Sequence, residues 1–418
     1  MTTVNVPILP WYGDSELELD FPASWEVAVL RHRGNGSVAL DEAGFRAAFA
    51  NTIGCPPIRE GAKGKKEICI LIDDISRATP TDKIIPYVLE ELEAAGIADD
   101  QIRFIAATGA HGPLNGIEFT KKLGEDVMAR FHVYNHHPFE NFTSVGTSPQ
   151  GTPLQFNTEV MRCDYKIGIG SIVPHGLGGF GGGSKIVLPG VSSLTTIDAN
   201  HSRLFPNETT GAGKYEGNTA RMDMNYAARA AGLDVKVDCI YNLKRQVTHL
   251  FVGDVVEEHV AGVEVAREYW ATEAVHDCDI VVGNCFSKVD EMLVAPPLLA
   301  PLRRQSGVNL VLLVVAPSGQ ITHYRRGRFG TDFGGRAYRP KTGLPPNTKS
   351  LTIMQPYPDF RGIECVAATE MVNITRSWGE TLQQLKKTCG TRARVAVVPD
   401  ATVQYFPPRP TDNDPSEH

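Results

Sequence analysis

Residues 171–201 read SIVPHGLGGFGGGSKIVLPGVSSLTTIDANH, and this glycine run around one lysine and two histidines constrains the fold more than any other stretch. Gly176, Gly178, Gly179, Gly181, Gly182 and Gly183 would weaken any helix or strand interior, so the run has to be a loop. It follows an apolar strand candidate at residues 165–169 and precedes a helical stretch opening near Ser192. That makes it a strand-to-helix connection, where open α/β sheets bind their ligands. With so few side chains between His175 and Lys185, the backbone can lie close to a flat or phosphorylated ligand, and Gly182 and Gly183 are the candidate contacts beside the lysine.

Two common phosphate motifs do not fit this loop. A Walker A loop ends in Gly-Lys-Ser/Thr, whereas here the order is Ser184-Lys185-Ile186. A dinucleotide fingerprint needs its glycines to run into a helix, and Pro189 stands four residues after Lys185. The bland alternative is a mobile surface loop.

The rest of the chain repeats the same rhythm. An apolar strand at residues 67–72 ends in Asp73-Asp74-Ile75-Ser76-Arg77 before helical periodicity at 83–95, and a strand at 102–107 ends in Thr108-Gly109-Ala110-His111. A parallel sheet would line up these strand ends, bringing Asp74 and Arg77, His111, and His175 with Lys185 to one edge. The rhythm restarts after about residue 274. The expected fold is therefore α/β: two Rossmann-like α/β domains with mainly parallel sheets, joined by a hinge near residues 271–275. Residues 1–272 form the N-terminal cofactor-binding domain and residues 273–399 the C-terminal one, with the tail 400–418 free to pack back on the first. Residues 3–30 read as an N-terminal β meander, and residues 292–305 as a helix.

Composition narrows the class. The chain has 418 residues, 42% of them hydrophobic, enough for two or three full cores. A net charge of -7 gives no basic field for nucleic acid, which points to a small-molecule enzyme. The eight cysteines include no CxxC pair, so neither a zinc cluster nor a disulfide framework is expected. With no signal-like start and no membrane span, the expected location is the cytoplasm.

His111 and His175 are the candidate acid and base, because imidazole exchanges protons near neutrality. Arg77 suits a substrate carboxylate through two parallel hydrogen bonds, although an Asp74–Arg77 pair within the loop is the simpler reading. Lys185 could be a Schiff-base lysine, a phosphate clamp or a solvated side chain. His201, on its helix, carries no metal signature by itself. The pair His136-His137 has no motif around it and is assigned to the surface. Residues 323–338, basic and glycine-rich, are a solvated loop or a lid that brings an arginine to an anionic substrate.

Pro174-His175, the run from Gly179 to Lys185 and Thr196-Ile197 with His201 together resemble the signature of the nickel-dependent lactate racemase family. The resemblance covers most of the chain, more loosely after about Ala271. It implies a nickel-pincer nucleotide, a pyridinium thioamide/thiocarboxylate mononucleotide, tethered to Lys185, with His201 as the protein ligand to nickel and Ser76 and Thr79 near a cofactor phosphate. It further implies racemisation or epimerisation of a 2-hydroxy acid by proton-coupled hydride transfer, with Asp74, Arg77, His111 and His175 as the catalytic set, and cofactor-making enzymes of the host as partners. Lactate-specific members carry a glutamine and a lysine toward substrate after the first strand of the second domain. Aligned without gaps, these positions fall at Val294 and Pro297, so a non-lactate substrate is expected. Apart from the resemblance, an enzyme using Lys185 as Schiff base or phosphate clamp and a non-catalytic nucleotide-binding protein both stay open.

Overall fold

The computed structural model describes residues 1–326, 341–357 and 359–407. Its strands are β1 (Thr2–Ile8), β2 (Ser15–Phe21), β3 (Glu26–Val29), β4 (Ile68–Ile72), β5 (Ile102–Ala106), β6 (His132–Asn135), β7 (Phe142–Thr147), β8 (Pro153–Asn157) and β9 (Tyr165–Ser171). They continue as β10 (Pro174–His175), β11 (Gly179–Phe180), β12 (Val235–Tyr241), β13 (Val247–Gly253), β14 (Ile280–Asn284), β15 (Val308–Leu313), β16 (Thr348–Met354), β17 (Val372–Thr375) and β18 (Arg394–Val398).

Two six-stranded sheets carry the fold. The first has the order β13-β12-β9-β4-β5-β6 and the second β17-β16-β15-β14-β18-β3. Every neighbouring pair is parallel except β12 with β13. The sequence makes this possible because strands such as β4 (ICILI) and β9 (YKIGIGS) are buried along their whole length, as a sheet covered on both faces requires. Along β4, Ile68, Ile70 and Ile72 enter one core, whereas Cys69 and Leu71 enter the core on the opposite face. The second sheet repeats this, with Val281 on one face and Ile280 and Val282 on the other. None of the eight cysteines is disulfide-bonded. Among the described residues no helix is long and apolar enough to cross a membrane.

Strand order fixes where ligands can bind. In the first sheet the chain runs outward from β4 through β5 to β6, then returns to the other side of β4 as β9, which makes the β4–β9 boundary a topological switch point. In the second sheet the corresponding boundary lies between β14 and β18. Loops leaving the carboxyl ends of β4, β9 and β14 line one cavity between the sheets.

Several expectations need correction. The N-terminal meander is instead a hairpin, β1 with β2, followed by a strand that pairs in parallel with β18 in the second sheet. Val4, Val6, Leu19, Phe21 and Trp25 fill the second sheet's core, so the start of the chain is not part of the first sheet as a division at 272 assumed. Alternation of apolar residues predicts strands here but cannot say which sheet they join. The predicted hinge is one of three adjacent crossings. Thr272 N–H donates to Tyr405 O at 2.9 Å, and Gln404 Nε2 donates to Leu30 O at 2.7 Å and to Thr272 Oγ1 at 3.1 Å. In the tail, Val403 and Tyr405 are buried in the first sheet's core. The helix predicted over 292–305 is three short turns (Met292–Val294, Ala295–Leu298 and Ala300–Leu302), because Pro296, Pro297 and Pro301 lack the N–H groups that a longer helix needs.

Candidate active site

The glycine run folds into the two-residue strands β10 and β11 and then a 3-10 turn, Gly183–Ile186, that carries Lys185. Most of these glycines answer to the protein rather than to a ligand. Gly182 has φ +74° and a Cβ there would stand 2.7 Å from an Asp238 oxygen; at Gly183, with φ +56°, it would stand 2.6 Å from the His259 ring. Both positions need glycine because buried side chains press against the backbone. Gly182 also lines the cavity, whereas Gly183 does not.

Beneath the loop, Arg221 is 1% exposed and gathers the loop carbonyls. Its Nε donates to Gly178 O at 3.2 Å, its Nη1 to Gly182 O and Ser184 Oγ at 3.1 Å each, and its Nη2 to Phe180 O. Removing it strips a charged donor from all three carbonyls, of which Gly178 O and Gly182 O keep the N–H groups of Phe180 at 2.8 Å and Lys185 at 3.3 Å, and a hydrogen bond to a charged group is worth about 1.5–3 kcal/mol. Arg221→Ala is therefore expected to lower the unfolding free energy in urea by about 2–4 kcal/mol. A change below about 0.5 kcal/mol would mean that the loop holds its shape without the arginine.

The two candidate acid-base histidines are held in opposite ways. His111, 8% exposed, places Nδ1 2.6 Å from Asp74 Oδ2, and Asp74 Oδ1 accepts from Ser76 N–H at 2.9 Å and from the Ser76 hydroxyl. Burial pushes the Asp74 carboxyl up, but His111, Arg77 and Ser76 outweigh it and hold the group well below the usual carboxylate range. Burial lowers His111, yet Asp74 prevails and its pKa is raised. In the neutral ring, with Nδ1–H facing Asp74, Nε2 presents a lone pair to the cavity. At His175, by contrast, Nδ1 accepts N–H bonds from Leu177 at 3.1 Å and Gly178 at 3.3 Å, which assigns the ring proton to Nε2. Burial, with Lys185, Lys288 and Arg77 nearby, pushes this ring well below its ordinary pKa, so it stays neutral.

Both histidines line a cavity of about 1010 Å³, roomy enough for a mononucleotide and a small acid together. Lys185 also lines it and its amine has no partner among the described residues. Burial, and next Arg221, push its pKa well down, which favours the neutral, nucleophilic form of the amine. His201, on the helix Leu194–Arg203 capped by Ser193, also reaches the cavity, and its Nδ1 is buried with no hydrogen-bond partner. A nickel-pincer nucleotide fits this set, because the lysine offers an amine with no partner among the described residues and the histidine an orphaned ligand atom.

From the second sheet, the loop after β14 supplies Lys288 and Glu291. Glu291 Oε2 accepts from Arg77 Nη1 at 2.8 Å across the gap between sheets, and burial opposed by Arg77 and His111 leaves its carboxyl at about 2. Lys288 is 2% exposed, its amine has no hydrogen bond or ion pair among the described residues, and burial lowers its pKa to about 8. His323 faces His111, with ring centroids 5.0 Å apart. His111, Glu291 and His323 place ligand atoms within 4.8 Å of one another. Arg77 already occupies one oxygen of that glutamate, and His323 Nδ1 accepts the Arg325 N–H at 3.2 Å.

The structure thus gathers Asp74, Arg77, His111, His175, Gly182, Lys185 and His201 at one cavity and leaves others outside it. Ser76 and Thr79 are fully buried, and their hydroxyls donate to Asp74 and Asp73, which takes them away from a ligand phosphate. Arg77, assigned to substrate, is held by Glu291. His136 is not on the surface: it is 2% exposed, with Nε2 2.9 Å from Ser192 O. Only the start of the basic segment is described; Arg325 pairs with Asp198 at 3.0 Å, and residues 327–340 lie outside the described residues, as do 408–418. Glu291 was missed, although it follows an apolar strand's carboxyl end, the same signal that located His111. Val294 and Pro297 line the cavity and give it an apolar wall where the alignment had placed them.

The family model for the lactate racemase N-terminal domain matches residues 12–213, a span that includes every first-sheet residue named at the cavity. A lactate racemase from Thermoanaerobacterium thermosaccharolyticum is 31% identical over 289 residues, which is 68% of this chain and 66% of that protein. One from Lactiplantibacillus plantarum is 33% identical over 237 residues, 56% of this chain and 55% of that protein. The matched stretches therefore span just under two thirds and just over half of these relatives. In fold, the chain is similar to the lactate racemase apoprotein of T. thermosaccharolyticum, with a TM-score of 0.74 at 23% identity, covering 97% of this chain and all of that one. It is also similar to a Thermotoga maritima protein solved by structural genomics, with a TM-score of 0.63 at 18% identity over 85% of this chain and 99% of that one.

Proposed function

Because the chain belongs to the lactate racemase family, we propose that it is an isomerase that inverts the hydroxyl-bearing carbon of a 2-hydroxy acid, as a racemase or epimerase. The observation that carries this reading is the Asp74–His111 contact at 2.6 Å, in one cavity with His175, Lys185 and His201. Lys185 would hold a nickel-pincer nucleotide covalently and His201 would ligate the nickel. When bound, that group supplies a hydride acceptor beside the substrate's α-carbon.

The protein's own residues then handle protons and position. His111 accepts the substrate hydroxyl proton at Nε2, and Asp74 stabilises the imidazolium that results. Neutral His175 donates an Nε2–H hydrogen bond to the hydroxyl oxygen from elsewhere in the cavity. It takes a proton in its turn only by giving up the two long N–H contacts at Nδ1. Lys288 attracts the carboxylate, Arg77 holds Glu291 in place beside it, and burial strengthens each of these contacts relative to water.

Intact-mass measurement of protein coexpressed with cofactor-making enzymes tests the proposal directly. A stable nucleotide adduct with nickel is expected. An adduct trapped only by borohydride would instead favour a Schiff base at Lys185, which its low pKa also permits. No adduct of either kind would favour a non-catalytic nucleotide-binding protein. His201→Ala is expected to keep the organic adduct mass while losing most of the nickel, read by metal analysis. An unchanged nickel-to-protein ratio would remove His201 as a ligand.

A further inference from the structure

We propose that the turn at residues 288–291 selects a 2-hydroxy acid carrying another hydroxyl on the adjacent carbon, a 2,3-dihydroxy acid, over lactate-like acids and diacids. This inference rests on the racemase reading above. Glu291 N–H donates to Lys288 O at 2.9 Å and closes a turn that sets an amine and a carboxylate side by side on the cavity wall. The turn is fixed from behind: Ser287 N–H donates to Asp400 Oδ2 at 3.1 Å, and Lys288 N–H to Thr402 Oγ1 at 3.2 Å.

Charge decides what this wall accepts. Arg77 and Glu291 neutralise each other at 2.8 Å, which leaves Lys288, buried and without an ion-pair partner among the described residues, as the cation of this turn, matched to one carboxylate. With the substrate carboxylate on Lys288 and its hydroxyl at His111 Nε2, the next carbon comes to Glu291 Oε1. That oxygen lies 3.9 Å from His111 Nε2 and has no hydrogen-bond donor among the described residues. A hydroxyl on the adjacent carbon supplies the donor. A methyl group in that place would desolvate an ionised oxygen and give nothing back, and a second carboxylate would meet like charge in a buried site. Val294 and Pro297, on the same wall, offer no alternative donor.

Glycerate, lactate and malate differ only in the group attached to the hydroxyl-bearing carbon, CH2OH, CH3 and CH2COO−, which makes them the test set. Calorimetric titration of the nickel-loaded enzyme is expected to give glycerate a dissociation constant at least about tenfold below the other two. Glu291→Gln keeps an oxygen acceptor but removes the charge, so malate should gain at least about tenfold relative to glycerate while the lactate-to-glycerate ratio moves little. Lys288→Met should weaken all three acids by a common factor of about ten or more. Lactate or malate binding as tightly as glycerate overturns the proposal, as does Lys288→Met with unchanged affinities. Chiral chromatography of the same mixtures separates the two readings. Turnover with lactate preferred ends the selection proposal and leaves the racemase reading intact. Tightest binding of glycerate with no inversion of any acid ends the racemase reading and leaves the selective turn.

Discussion

Lys185→Ala is expected to abolish both cofactor attachment and activity, leaving the intact mass equal to that of the bare chain. The side chain is partly buried, its amine has no partner among the described residues, and desolvation and Arg221 depress its pKa, which favours the form that can bond covalently. No other lysine stands in the glycine run to replace it. Fold and function should separate cleanly here, because removing an amine with no partner among the described residues costs none of their hydrogen bonds. The thermal midpoint of Lys185→Ala should stay level or rise, whereas loss of Arg221 lowers it. Lys185→Arg is the companion variant: it keeps a cation but lacks the amine nucleophile, and it should be equally inactive. Retained nucleotide mass in either variant would exclude the tether.

Losing either histidine should slow inversion in both directions by roughly a hundredfold or more, equivalent to about 2.7 kcal/mol of activation free energy. His111→Ala removes the lone pair that Asp74 orients, and His175→Ala removes the Nε2–H donor set by the Leu177 and Gly178 N–H groups. Every turnover in either direction passes through both residues. Asp74→Asn should also lower the rate, because an amide can offer its own N–H to His111 Nδ1 and so favour the wrong tautomer. The measurement is the initial rate from each enantiomer with equally nickel-loaded protein. A histidine variant that stays near the wild-type rate in both directions assigns that ring a structural role.

Much of the site was legible before folding. Polar residues at the ends of apolar strands located Asp74, Arg77, His111, His175 and Lys185, since a parallel sheet necessarily carries such ends to one edge. The same reasoning applied to β14 would have found Glu291, whose loop has identical logic but no glycine-rich signal to draw attention to it. Ser76 and Thr79 illustrate the opposite case. Their hydroxyls lie in the right loop, but a side chain's direction there depends on which carboxylates surround it, and here Asp74 and Asp73 accept from them.

The sequence by itself determined the α/β class, the strand-to-helix loop with its lysine, and the shared edge of three strand ends, because apolar periodicity and glycine placement act locally. Tertiary structure alone decided that β3 joins the second sheet, that Gly182 and Gly183 answer to Asp238 and His259, and that Arg77 meets Glu291 across the gap. It also set the two histidine tautomers, through Asp74 at one ring and two backbone N–H groups at the other. These outcomes depend on contacts between residues far apart in the chain, and no pattern of neighbouring residues encodes which distant atom will stand within hydrogen-bond reach.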